Sequence, residues 1–89
     1  MRIDVREIAS GKYIADYTVE DKSVRSRTRK IYAALEEACY ALDLPKPIWL
    51  DKNIREFRRH ARTRFGRESF IEEVPFDYLE VRVIEEDLC

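Results

Sequence analysis

The residues with the clearest capacity for chemistry lie in KNIREFRRHARTRFGR, residues 52–67, where seven cations accompany a single acid, Glu56, and Glu56 stands four residues before His60. Four residues is about one turn of helix, so a helix sets the carboxylate beside the imidazole, as a general base with its orienting partner or as two metal ligands. His60 is the only histidine, no nucleophile stands near it, and the chain has no glycine-rich phosphate loop. The simpler reading is a histidine on a helix surface. Glu72, Glu73, Asp77 and Glu80 offer oxygen ligands of the kind hard divalent cations prefer, but without EF-hand spacing, and acids on a solvated turn need no metal. These patterns lead us to expect no catalytic residue, metal or cofactor.

The cations are the stronger signal. On a helical wheel Ile54, Phe57, Ala61 and Phe65 point one way, while Lys52, Arg55, Arg59 and Arg62 form a stripe on the opposite side. Upstream, Arg25, Arg27, Arg29 and Lys30 crowd the start of another helix, where exposed amides already create positive potential. The candidate binding surface is therefore Lys52, Arg55, Arg59 and Arg62, extended by Arg25 and Arg29. Net charge is only −1 because opposed blocks cancel: residues 1–21 carry 3 cations and 5 acids, residues 22–67 carry 13 and 5, and residues 68–89 carry 1 and 8. Such asymmetry points either to pairing inside the fold or to a partner. That partner is an anionic ligand such as a nucleic-acid backbone, a protein, or a second copy presenting acid to base.

The elements that must position these groups follow from periodicity. RIDVREI at 2–8 and YIADYTV at 13–19 alternate around a turn at Ala9-Ser10-Gly11-Lys12 and predict a hairpin. Val24, Ile31, Leu35, Ala38 and Leu42 share one side of a helix predicted over 23–43 and capped by Asp21 or Ser23. Pro45 and Pro47 prevent its continuation. Ile48-Trp49-Leu50 is either a three-residue strand or an aromatic anchor, and Asp51 is the expected cap of a second helix over 52–63, ending before Gly66. Residues 70–74 read as a short strand. Tyr78 to Glu86 reads as a longer one, with Leu79, Val81 and Val83 facing the helices and Glu80 and Arg82 facing away.

The expected fold is α+β, a two-layer sandwich of a largely antiparallel sheet with two helices on one face, in the order β-β-α-(β)-α-β-β. Its 89 residues fit one domain, 1–89, with one core. IYAAL at 31–35 is the longest apolar run and no signal peptide is visible, so a cytoplasmic protein without membrane contact is expected. Cys39 reads as a small buried hydrophobe and Cys89 as a terminal thiol. The function expected from these features is a non-catalytic protein-interaction or assembly domain, with nucleic-acid binding through the basic stripe as the alternative.

Overall fold

The structure, a computed structural model, describes residues 1–87; the reading of Cys89 lies outside the described residues. Strand β1 (Arg2–Ala9) turns through Ser10 and Gly11, both at positive φ (53° and 74°), into β2 (Lys12–Glu20). A two-residue turn of this hand matches strand twist, and glycine accepts it without a Cβ penalty. A bulge at Ile14 interrupts the register between the Ile8–Tyr13 and Glu7–Ala15 pairs. Strand β3 (Arg62–Phe65) pairs with β4 (Tyr78–Glu85), and β4 pairs with β1. The four strands form one antiparallel sheet in the order β2-β1-β4-β3.

Helix α1 (Arg27–Ala41) begins later than its apolar spacing predicts. Ser26, not Asp21 or Ser23, is the N-cap, accepting from Arg29 N at 3.3 Å, and Val24 is fully exposed ahead of it. The helix ends in a paired closure: Leu44 N donates to Cys39 O at 2.8 Å and Asp43 N to Tyr40 O at 3.2 Å, with Asp43 in the left-handed region. This Schellman arrangement satisfies carbonyls that a helix end otherwise leaves unpaired. Helix α2 (Asp51–His60) is preceded by Leu50, whose N–H donates to Asn53 Oδ1 at 3.1 Å; Asp51 is its first residue and not its cap.

Two further expectations need correction, and one open alternative resolves. Helix α2 stops at His60 because Ala61 turns left-handed (φ 55°), and Arg62 and Phe65 belong to β3. Phe65 lies eight residues beyond Phe57, a spacing that keeps it on the same helical side, so periodicity could not separate the two conformations. Pairing with β4 did. Residues 48–50 form no strand: Trp49 is the anchor, edge-on to Tyr32, Phe57 and Phe65 at centroid distances of 5.5, 5.7 and 4.8 Å. Residues 70–74 form no strand either, because β3 already occupies the place beside β4; Phe70, Val74 and Phe76 instead tuck into the core from an irregular crossing that follows a 3-10 turn at Arg67–Ser69.

The core lies between the layers. Ile3, Val5, Leu79, Val81 and Phe65 from the sheet meet Ile31, Ala34, Leu35, Ala38 and Cys39 of α1 and Phe57 of α2 in one cluster, which places both helices on the same face. The parity expected for β4 holds, with Leu79 and Val81 fully buried. Burial, mainly through desolvation, pushes the Cys39 thiol up to about 11, so it stays protonated and packs as an apolar group.

Two stability measurements test these placements. Ala61→Gly removes the Cβ from a left-handed residue and is expected to raise unfolding free energy by about 1 kcal/mol in urea titrations. Ser69 Oγ is buried without a hydrogen-bond partner, so Ser69→Ala is expected to be neutral or stabilising by up to about 1 kcal/mol, whereas a partnered serine would give a loss.

Candidate interaction surface

Two rows of charge cross the helix-free face of the sheet. One runs Asp16, Arg6, Glu80, Arg64 and the other Thr18, Asp4, Arg82, Arg62, each in strand order from β2 to β3. The first alternates in sign throughout. Arg6 Nε donates to Asp4 Oδ2 at 2.7 Å, Thr18 Oγ1 to Asp4 Oδ1 at 3.0 Å, and Arg64 Nε to Glu80 Oε2 at 3.0 Å. The aliphatic stems and flat guanidinia of these arginines explain why Asp4 and Glu80 are buried on a face that no helix covers. Arg62 and Arg82 are direct cross-strand partners of like charge, a placement that costs stability.

Much of the remaining basic charge is covered by acids of the same chain. Helix α1 has no acid in its first turn, and the segment after β4 supplies what is missing: Glu86 takes both arms of the Arg27 guanidinium at 3.0 and 2.9 Å, and Asp87 accepts from the buried Lys30 at 2.8 Å. Lys52 pairs with Glu68, Arg25 with Asp21 at 2.7 Å, and Arg67 with Asp77 at 3.3 Å. Of the expected surface, Lys52 and Arg25 are thus engaged, while Arg29, Arg55, Arg59 and Arg62 have no carboxylate partner among the described residues. Arg58 and Arg82 join this unpaired set, although sequence reasoning passed over both. Arg58 follows Arg55 by three positions on α2, and the strand parity of β4 put Arg82 on the open face, so signals for each were present.

Arg62 does not extend the helical stripe. It lies on β3, at the rim of a polar concavity of about 370 Å³ lined by Glu56, His60, Arg62, Thr63, Arg64 and Glu80. Glu56 and His60 therefore share a hollow, but no hydrogen bond joins them: Thr63 Oγ1 donates to Glu56 Oε1 at 2.6 Å, and Asn53 Nδ2 donates to Thr63 Oγ1 at 2.8 Å and to Arg64 O at 3.0 Å. Asn53, fully buried, clamps α2 to β3 and is a residue that sequence reasoning missed. Among the described residues no cluster of three or more His, Cys, Asp or Glu could hold a metal ion, and no helix is long and apolar enough to cross a membrane.

The hollow wraps an open sheet edge. Val83 N donates to Ala61 O at 2.9 Å, and antiparallel pairs alternate, so Thr63 and Phe65 direct their backbone groups to β4 while Arg62 and Arg64 direct theirs outward. At the opposite edge Met1 and Asp21 exchange both bonds, at 2.9 and 3.0 Å. By the same alternation Asp16, Thr18 and Glu20 point theirs outward from β2. Compared with protein-family models, with curated proteins and with solved structures, the chain matches none.

Glu7 stands apart from these networks. It is a carboxylate on the core face of β1, paired with Ala15 and Leu79, and burial pushes its carboxyl above the ordinary value of 4.5. Its contribution to stability is present below the unfolded value and is lost as pH rises through the folded one. Hydrogen bonds from Lys30 to Asp87 and from Arg27 to Glu86 lower those carboxyls, so their contribution is present above 3.8 and 4.5 and is lost as pH falls. Glu7→Gln is expected to raise the unfolding free energy from urea titration at pH 7 by on the order of 1 kcal/mol, with the gain vanishing near pH 4. A gain unchanged by pH would contradict the burial of a carboxylate there.

Proposed function

We propose that this chain is a small non-catalytic interaction domain, soluble and cytoplasmic, that receives an extended protein segment at the edge of its sheet. The observation that carries this reading is the β3 edge, where the outward N–H and C=O of Arg62 and the outward N–H of Arg64, whose carbonyl already accepts from Asn53, are flanked by Arg62 and Arg82, neither of which has a carboxylate partner among the described residues. An extended segment adding there gains main-chain hydrogen bonds, and acidic side chains at alternate positions offset the Arg62–Arg82 repulsion. The short reach of β3, four residues, makes this a weak and selective contact. In the hollow beside it, Glu56 is held by Thr63 and not by His60, an arrangement that serves attachment of α2 to β3 more directly than proton transfer.

A second reading has its own support. Arg55, Arg58 and Arg59 form an uncovered basic face on α2 that fits a phosphate backbone. Three neutralised phosphates give a log-affinity against log-salt slope of about −2 for single strands, measurable by mobility shift.

The edge reading is tested by amide-shift titration with two hexapeptides, one alternating Asp with Val and one alternating Lys with Val. The acidic peptide is expected to shift the amides of residues 62–66 and to bind about tenfold more tightly than the basic one, a difference of about 1.4 kcal/mol. Shifts confined to the solvent face of α2, or equal binding of both peptides, would reject it.

A further inference from the structure

We infer that the strand received at β3 is β2 of a second copy of this chain, so that copies join head to tail into one continued antiparallel sheet. This assignment rests on edge binding being the domain's function.

Three features of the edges fit each other. The first is direction. The strands alternate in sense from β2 to β3, so a second copy placed in the same orientation presents β2 antiparallel to β3 and keeps the helices of both copies on one face. The second is parity. On β2 the outward backbone groups belong to Asp16, Thr18 and Glu20, and on β3 to Arg62 and Arg64, the Arg64 carbonyl sharing its outward side with the Asn53 amide. Both sets carry their side chains on the helix-free face, so bonding outward group to outward group brings those side chains together.

The third is charge. With Asp16 opposite Arg64 and Thr18 opposite Arg62, the alternating row continues unbroken from one copy into the next. Arg62 then gains Asp16 and Glu20 as diagonal neighbours, within reach of a long side chain. Asp16, like Arg62, has no ion pair among the described residues. Like edges are disfavoured: β3 against β3 sets arginine against arginine, and β2 against β2 gathers the acids of both copies. Acid at the β2 rim of the sheet, Asp16 and Glu20, thus faces base at the β3 rim, Arg62 and Arg64.

Such a contact is heterologous and leaves one acidic and one basic edge free at the ends, so it grows unless it closes. Sheet twist of about −20 to −25° per strand turns successive four-stranded copies by roughly a quarter turn, which favours an open helical chain. With only two outward residues on β3 the interface is small, and affinity in the ~10 µM to 1 mM range is expected.

Sedimentation velocity with two edge variants decides the matter. Asp16→Arg and Arg62→Glu each alter a side chain that makes no hydrogen bond or ion pair among the described residues, so both are expected to fold, as thermal melts will verify. Wild-type protein is expected to associate increasingly with concentration in about 20 mM salt and to dissociate in about 500 mM. Each variant alone is expected to lose at least tenfold in association. Mixed in equal amounts they regain one wild-type interface, the intact β2 of Arg62→Glu against the intact β3 of Asp16→Arg, and give dimers that do not grow. A mixture that stays monomeric, or an Arg62→Glu variant that still associates like wild type, overturns the copy assignment. A wild-type protein that is monomeric at ~1 mM yet binds the Asp/Val peptide at β3 overturns it too, while leaving the interaction function standing; a monomer that binds neither removes both.

Discussion

The rest of the molecule depends on the pairing of β1 with β4. These strands come from opposite ends of the described chain, and Ile3 opposite Val83, Val5 opposite Val81 and Glu7 opposite Leu79 hold them at the middle of the sheet. Closing so long a loop carries an entropic cost that grows only slowly with length, and burial of Ile3, Val5, Leu79 and Val81 offsets it. With β1 and β4 central, β2 and β3 become edges. The charges of those two strands, and the outward backbone groups that no fifth strand pairs, are exposed for that reason, the Arg64 carbonyl alone being met by Asn53.

The same pairing settles where much of the basic charge goes. Because β4 runs beside β1, the segment after it arrives at the start of α1, where Glu86 and Asp87 meet Arg27 and Lys30. A helix start that violates local electrostatics is thus repaired from more than fifty residues away. The lysine is nearly inaccessible, so its partner matters more than those of exposed pairs such as Lys22–Glu20, which contribute little. Apart from Glu68, which meets Lys52, no acid of the described residues pairs with the exposed side of α2, and Arg55, Arg58 and Arg59 remain open to solvent.

Asn53 performs for the other half of the fold what β1–β4 pairing performs for the first. Its side chain accepts from Leu50 N, starting α2, and donates to Thr63 and to the outward carbonyl of Arg64, fixing β3 below the helix. A buried amide with all these partners satisfied is rigid. Through it the β3 edge, the concavity and the Glu56–Thr63 contact form one unit, and the same clamp already occupies one lone pair of the Arg64 carbonyl on the edge to which a further strand is proposed to add.

The hairpin, the Tyr78–Glu85 strand with its parity, α1 as an element and the two-layer α+β class were all legible in the residues, since alternation and helical spacing are local properties of burial. So was the anchoring role of Trp49, as one of two readings. The end of α2 was not legible: spacing from Phe57 to Phe65 fits a helical face and a buried strand end alike, and only the presence of Leu79 and Val81 across the ladder made the strand the lower free-energy choice. Nor could the basic stripe be resolved into covered and uncovered cations, because whether Lys52 or Arg62 finds a carboxylate depends on segments distant in the chain. By itself the sequence determined which residues seek the interior and which carry charge. Tertiary structure alone decided which strands became edges and which charges were left unmet there, because backbone pairing and ion pairing between remote segments are set by topology and not by local composition.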